Sequence, residues 1–309
     1  MISGLSASND QFLASLDTLE TNLSQADEEL SSGYRVNQAS DAPASIQDIF
    51  VTRAELAQAN TSAQNLSSIQ DQVQTADTAV QNAIQLLDQA VSLGTQGAST
   101  TSSTSLQQTL ATQVQGLEAQ LVAITATDVG GVFIFSGDAS GSPPYQVDTA
   151  SPTGVDRLVT PQQSTLLVAG PTGVTFPVSM TAQDLFDQRD SNDNPTANNA
   201  FAALNGLVQA LQSGSTTAIT QAVSVVQGAA GYVNDQTGFY GAAENNISYA
   251  LSLAQKFQVE DQTQLSTYED ADTATLAVEV TQASTAITAA MESEAKMPTT
   301  SLFDYLPNT

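Results

Sequence analysis

Apolar residues near the start of the chain recur at alternating spacings of four and three positions. These positions are Phe12, Leu16, Leu19, Leu23, Ala26 and Leu30. That spacing is the heptad seam of a coiled coil and predicts an amphipathic helix. A seam of this kind needs a second helix to cover it, because so short a helix is not stable alone in water.

A matching seam lies near the other end of the chain. Its positions follow the same alternation and are Leu276, Val280, Ala283, Ile287 and Ala290. The two ends therefore have the pattern of helices that pair with each other or with neighbouring chains. An ordinary intramolecular bundle and an open assembly both fit the pattern.

A polar loop separates the first seam from the next helix. Gly33 stands where the residue after a helix adopts a positive φ without steric cost. Ser40 or Asp41 is a suitable N-cap, and Pro43 suits the first turn of a helix that begins near Ala42. Arg35 and Asp41 are also close enough in sequence to form a local ion pair.

The inner part of the chain predicts long helices. Nothing interrupts the segment from Ala42 to Leu93, which as one helix would be roughly 75 Å long. The Gly/Ser/Thr-rich segment 94–105 predicts a turn, and a third helix follows over 110–124. Helices resume over 201–211 and 219–226, and a further long helical stretch runs from about Ala242 to Glu294.

The pattern of residue types changes at Val129, after which β-branched and aromatic residues lie between glycines. Gly130–Gly137 has this strand pattern, and the following segment to Ser179 alternates short apolar runs with Pro-Thr-Gly turns. We therefore predict a mainly α fold, a long antiparallel helical bundle or coiled-coil rod with a small inserted β-rich domain. The predicted domains are 1–41 with 266–309 for assembly, 42–129 with 197–265 for the rod, and 130–196 for the β insertion.

Charge narrows the range of functions. The 309 residues include 6 basic and 32 acidic residues, a net charge of −26. Nucleic-acid binding requires clustered Lys and Arg, which the chain lacks, so we expect no nucleic-acid partner. No apolar run approaches the roughly 20 residues of a membrane span, so we expect no membrane partner.

The chain contains no Cys, His or Trp. The usual nucleophile, general base and transition-metal ligands are therefore missing, and we predict no catalytic, metal or cofactor site. An enzyme would have to use carboxylates such as Asp148, Asp156 and Asp184, which follow no recognised spacing. The segment 190–194 faintly resembles a calcium loop, but Pro195 occupies the position that requires glycine.

The loop after the first seam resembles the N-terminal signature of the bacterial flagellin family almost residue for residue. The matching run is Leu30-Ser31-Ser32-Gly33-Tyr34-Arg35-Val36-Asn37 followed by Ser40-Asp41-Ala42-Pro43-Ala44. Phe133–Gly137, the opening Met1-Ile2-Ser3 and the ending Ser301–Leu306 are similar to family members that join hook to filament. The ending supplies the apolar residues Leu302, Phe303, Tyr305 and Leu306.

The resemblance implies a structural protein of the flagellum with no enzyme activity. It implies terminal helices that fold together on assembly, and export through the flagellar type III apparatus to the cell exterior. The implied partners are neighbouring copies in a ring, a hook-associated protein on the hook side, flagellin on the filament side and an export chaperone. A filament-forming flagellin is the alternative within the family, and a soluble coiled-coil scaffold is the alternative outside it.

Overall fold

The computed structural model describes residues 2–99, 101–160 and 162–295, with side chains from Asp10 onwards. Its contacts divide the chain into two compact units. The first takes the residues up to Gln58 and from Phe257 onwards, and the second spans Ala59–Lys256. The helices are α1 Ile2–Ser32, α2 Ile46–Gly97, α3 Thr104–Thr125, α4 Ala182–Phe186, α5 Ala200–Ser213, α6 Thr216–Glu269 and α7 Thr273–Ala295. The predicted mainly α architecture with a small strand-containing region is confirmed, and the three-part domain division stays a prediction.

In the first unit, α1 packs against α7. Because the end of α1 meets the start of α7 at a main-chain bond from Ala271 N–H to Gly33 C=O, the two helices run antiparallel. The two heptad seams of the sequence therefore lie on helices that pair with each other.

The start of α2 differs from the prediction. Residues 42–45 form turns in which Ser45 and Ile46 both donate to the carbonyl of Ala42, and the helix begins at Ile46. Neither Ser40 nor Asp41 caps it. The Asp41 carboxylate instead accepts the N–H groups of Asn37 and Gln38, so it stabilises the loop before the helix.

The end of α2 also differs, because the predicted turn at Gly94 is helix as far as Gly97. A Cβ at Gly94 would lie 2.5 Å from Val223 Cγ2, and one at Gly97 would lie 2.2 Å from Leu211 Cδ2. These glycines therefore permit close helix packing, and do not end the helix.

Helix α6 is one helix of 54 residues where the sequence predicted separate segments, and it ends within the stretch that was predicted to be continuous to Glu294. The break between α6 and α7 is stabilised by Asp272, whose carboxylate accepts the N–H groups of Ala274 and Thr275. An Asp at an N-cap is a common helix start, and it went unrecognised in the predicted stretch.

The strand-containing region consists of three two-stranded antiparallel sheets. The strands are β1 Asp128–Val129, β2 Val132–Phe133, β3 Tyr145–Val147, β4 Val155–Arg157, β5 Leu167–Ala169 and β6 Thr175–Pro177. Two of the predicted Pro-Thr-Gly turns connect β3 to β4 and β5 to β6, with positive φ at Gly154 and Gly173. The predicted strand Gly130–Gly137 is shorter than expected, because Phe135 leaves the strand to lie fully buried beside Phe186.

The hydrophobic core lies in the second unit. Its buried residues come from α2 beyond Leu66, α3, α5, α6 up to Ala254 and the strand region. In the first unit, the buried apolar side chains of the described residues are those of Ala26, Ala42, Ile49 and Leu276. None of the described helices has the length and apolar character that a membrane span needs.

Candidate assembly surface

The seam residues of α1 and α7 are only partly covered by the pairing of these two helices. Ala26 and Leu276 are buried, and Leu30 remains 38% exposed. The remaining described seam residues are half-buried. They are Phe12, Leu16, Leu19, Leu23, Val280, Ala283, Ile287 and Ala290. The helix pair therefore satisfies the seam incompletely, which is the state expected of a surface that packs against further helices.

A groove of about 500 Å³ runs between α1 and α7. Leu19, Ala26, Leu276 and Ala283 give it an apolar floor, and polar side chains such as Gln25 flank them. Small residues on α7 keep the groove open. The apolar and small residues of its lining suit a helix side chain from a neighbouring chain, as in knobs-into-holes packing, and Glu29 and Glu279 also line it.

The charge of this helix pair has one sign. Helix α1 carries six acidic residues and α7 carries three, and neither helix contains Lys or Arg. Copies that approach through these helices therefore repel one another at long range. Apolar contact along the seam and screening by salt have to overcome that repulsion.

The signature loop joins α1 to the corner between α6 and α7. Gly33 has a φ of +75°, as predicted for a residue that ends a helix. Tyr34 forms an isolated antiparallel bridge with Asp270, and Arg35 N–H donates to the Glu269 carbonyl at 2.7 Å. Loop and corner are thus bound through the main chain, which fixes where α1 ends relative to α7.

Arg35 and Asp41 act separately, and the local ion pair that their spacing would allow does not form. The Arg35 guanidinium donates to the carbonyl of Tyr268, 233 positions away along the chain. The Asp41 carboxylate accepts the N–H of Asn37 at 3.0 Å and that of Gln38 at 2.9 Å, and these bonds lower the pKa of Asp41. Each side chain stabilises the main chain, Arg35 between segments and Asp41 within the loop.

Asn37 completes the loop, because its side-chain amide donates to the Tyr34 carbonyl. Pro43 lies exposed in the turns before α2, outside the helix whose first turn it was predicted to occupy. The C-terminal motif Leu302, Phe303, Tyr305 and Leu306 lies outside the described residues.

Sequence reasoning missed the α6–α7 corner as the partner of the loop. Glu269 is almost fully buried there, and its Oε1 lies 2.8 Å from Arg53 Nη2 as an ion pair without an aligned hydrogen bond. Glu269 stands seven positions before Leu276, where the heptad spacing of the second seam would place an apolar residue. Together with Asp270 and Asp272, which follow it, this carboxylate was the available signal in the sequence. The spacing of apolar residues alone did not indicate it.

The three carboxylates considered for catalysis form hydrogen bonds that stabilise the local structure around them. Asp184 forms a capping box with Thr181 at the start of α4, Asp148 accepts the Ala150 N–H in the β3–β4 turn, and Asp156 accepts from Gln146 across two strands. In segment 190–194, the Asp190 carboxylate is occupied by N–H groups of Asn192 and Asn194. The described part of the chain contains no cluster of acidic side chains that could hold a metal ion.

The described residues of the second unit include a buried ionic network around Asp187. Its carboxylate accepts from the Tyr145 hydroxyl at 2.9 Å, from Arg189 Nε at 2.9 Å and from the Asn199 amide at 2.6 Å. Burial, followed by the charge of Asp187, raises the pKa of Tyr145. The network ties β3 to α5 and holds the strand region to the helices.

Comparison with known proteins agrees with this architecture. Residues 5–140 match the model of the bacterial flagellin N-terminal helical region. No curated protein sequence matches the chain. Among solved structures, a protein of Vibrio parahaemolyticus assigned as a flagellar hook-associated protein is 15% identical with a TM-score of 0.63, over 74% of this chain and 99% of that one.

Two further structures give the same result. Hook-associated protein 3 of Legionella pneumophila is 14% identical with a TM-score of 0.59, over 71% of this chain and 98% of that one. FlgL of Xanthomonas campestris is 13% identical with a TM-score of 0.57, over 69% and 98%. At these identities the matches establish the fold.

The chain therefore begins with a flagellin-type N-terminal helical region and has the fold of structural flagellar components. Within that class, its fold is that of hook-associated protein 3, also called FlgL.

Proposed function

We propose that this protein is the structural adaptor that joins the flagellar hook to the flagellin filament. Copies of it form a ring through their paired terminal helices. A hook-associated protein binds on the hook side of the ring, and flagellin binds on the filament side. The protein has no active site in this function.

The observation that supports assembly most directly is the incomplete burial of the first unit. Its seam residues are arranged for coiled-coil packing, yet the pairing of α1 with α7 leaves most of them incompletely buried. Burial of a large apolar side chain stabilises by about 1.5–3 kcal/mol. Because Phe12, Leu16, Leu19 and Leu23 are already half-buried, neighbouring copies that cover them would gain only part of that value for each, about 1–3 kcal/mol in total, which acts against the repulsion between acidic helices.

The proposal includes the route and location of the protein. An unfolded chain passes through the flagellar type III apparatus with the help of an export chaperone, and it folds at the distal end of the growing structure outside the cell. The absence of Cys suits this route, because no disulfide can form wrongly in an oxidising exterior.

The alternative within the same fold is a filament-forming flagellin. Immunogold labelling of whole cells with an antibody to residues 131–179 distinguishes the two. We expect a single band where hook meets filament. Label along the whole filament would show a flagellin, and the absence of flagellar label would refute both and favour a soluble coiled-coil scaffold.

The seam itself is tested by Leu19→Asp, which places a charge in the groove between α1 and α7. We expect loss of assembly in sedimentation, with circular dichroism showing that the helices of the second unit remain folded. Ser15→Asp is the matched control, because Ser15 is exposed on the same helix. Assembly by Leu19→Asp at the wild-type level, or global unfolding of that variant, would contradict the proposed role of the seam.

A further inference from the structure

Three of the four most exposed large apolar side chains among the described residues of the second unit lie in the β5–β6 hairpin or directly before it. Tyr249 is 73% exposed, Val174 67%, Leu167 57% and Leu166 51%. The hairpin sits on α6, since a Cβ at Gly170 would lie 3.6 Å from that of Ala250, the neighbour of Tyr249. We name Leu167, Ala169 and Val174 the hairpin patch.

The hairpin has one face turned to the core and one turned outwards. Val168 is buried, whereas Leu167 and Ala169 on either side of it are exposed. Across the hairpin, Leu167 pairs with Pro177 and Ala169 pairs with Thr175, both of which are exposed as well. The outward face is therefore built from uncharged, largely apolar residues, and folding of the single chain leaves it exposed.

The β5 edge of the hairpin is also open. Gly170 N–H donates to the Val174 carbonyl, so strand alternation turns the main-chain groups of Leu167 and Ala169 away from β6. The sheet has two strands, and no described strand pairs with this edge. Pro177 blocks part of the opposite edge because it has no N–H. An open, uncharged strand edge is a surface to which another chain can bind.

Charge indicates which chain that is. Each copy carries a net charge of −26, so close approach of two copies is opposed wherever acidic surfaces meet. The segment from Leu158 to Gln183, which includes the hairpin, contains no Asp, Glu, Lys or Arg. At this surface a second copy can approach without placing like charges in direct contact.

We infer that the hairpin patch is a second contact between neighbouring copies of this chain in the assembled ring. The inference rests on the proposed assembly through the terminal helices and names an additional surface that the assembly would use. Alone the patch is too small for a stable dimer, which needs about 1,000 Å² or more of buried surface. Once the terminal helices hold copies together, the high effective concentration makes the weak contact form.

The absence of Cys allows a direct test in the full-length protein. Ala169→Cys places one thiol on the hairpin patch, and Ala150→Cys is the matched control in the β3–β4 turn, exposed and flanked by the acidic Asp148 and Asp156. Each variant is labelled with a maleimide benzophenone, assembled, irradiated and analysed on a denaturing gel. We expect at least a five-fold higher yield of covalent dimers from Ala169→Cys than from Ala150→Cys, and loss of that yield in unassembled protein.

The outcomes separate this inference from the proposed function. Equal yields from both labelled variants, in material that sediments as assemblies, would overturn the hairpin contact and leave ring formation intact. Cross-linking of Ala169→Cys to added flagellin in place of a second copy would also overturn it. Failure of the unlabelled protein to assemble under any condition would refute the proposed ring, and the hairpin contact with it.

Discussion

The most informative perturbation concerns Glu118, a buried carboxyl group on α3. Its side chain is almost fully buried, and its Oε1 has no hydrogen-bond partner among the described residues. The main chain of Gly154, in the β3–β4 turn, lies so close that a Cβ there would meet Glu118 Oε1 at 1.8 Å. Asn205 on α5 donates to the Pro152 carbonyl of the same turn at 2.9 Å.

Burial raises the pKa of Glu118 from 4.5 to about 7. A carboxyl whose folded-state pKa is raised binds its proton more tightly in the folded protein, so its ionisation destabilises the fold. The free energy of unfolding therefore falls as the pH rises from about 4.5 towards 7 and is constant above that range. A shift of this size corresponds to at most about 3 kcal/mol, and water that reaches part of the carboxylate reduces it.

Glu118→Gln removes this ionisation and keeps the shape of the side chain. We expect the variant to gain stability relative to wild type by up to about 2 kcal/mol more at pH 8 than at pH 5, since the wild-type group is mostly protonated at the lower pH. Urea unfolding followed by circular dichroism at both pH values measures the difference. The effects of the other carboxyl groups on stability cancel in this comparison, because the variant and the wild type both contain them.

Asp88→Asn is the control, because Asp88 lies exposed on α2 in the same unit. Its difference from wild type should be small at both pH values. If Glu118→Gln shows the same stability difference from wild type at pH 5 and pH 8, the pKa of Glu118 is not raised in the folded protein, and the argument from burial fails.

Two further predictions concern packing and charge in the second unit. Gly94→Ala should destabilise by about 1–3 kcal/mol in thermal unfolding because its Cβ would meet Val223 Cγ2, whereas Gly116→Ala, with nothing within 4 Å, should stabilise by about 0.5–1 kcal/mol. Equal shifts in the midpoint would refute close packing at Gly94. Asp187→Ala should cost about 3–5 kcal/mol in urea unfolding, because Tyr145, Asn199 and Arg189 lose the buried carboxylate that accepts from all three, whereas the exposed Asp88→Ala should have little effect. Comparable losses from both would show that the Asp187 network adds nothing specific.

The heptad alternation was enough to predict that both ends of the chain are helical. The positions from Phe12 to Leu30 and from Leu276 to Ala290 recur because one face of each helix must be covered, and that periodicity is visible in sequence. The Pro-Thr-Gly turns were equally visible, because Gly154 and Gly173 adopt φ values that favour glycine. Local patterns with a local cause were therefore predicted correctly.

Errors arose where a contact that the apolar spacing does not record decided the local structure. The segment from Gly94 was predicted as a turn because it is rich in Gly, Ser and Thr. Gly94 is in fact helical, and Val223 and Leu207 from other helices pack so close to it that a side chain there would clash. Asp41 was predicted to cap α2, but loop N–H groups occupy its carboxylate. A local ion pair of Arg35 with Asp41 was one possibility, whereas the Arg35 guanidinium donates to the carbonyl of Tyr268. Sequence spacing contains no direct record of such contacts.

The two units differ in how completely each buries its own apolar side chains, and this difference bears on assembly. The second unit buries a continuous core from Leu66 to Ala254. The first buries Ala26, Ala42, Ile49 and Leu276 among its described apolar residues, two of which are alanines that contribute little transfer free energy. Main-chain bonds between the signature loop and the α6–α7 corner position its helices without adding much hydrophobic stabilisation. If the remaining apolar area of the seam is buried against another chain, as proposed, the stability of the first unit should rise with protein concentration, whereas that of the second should not.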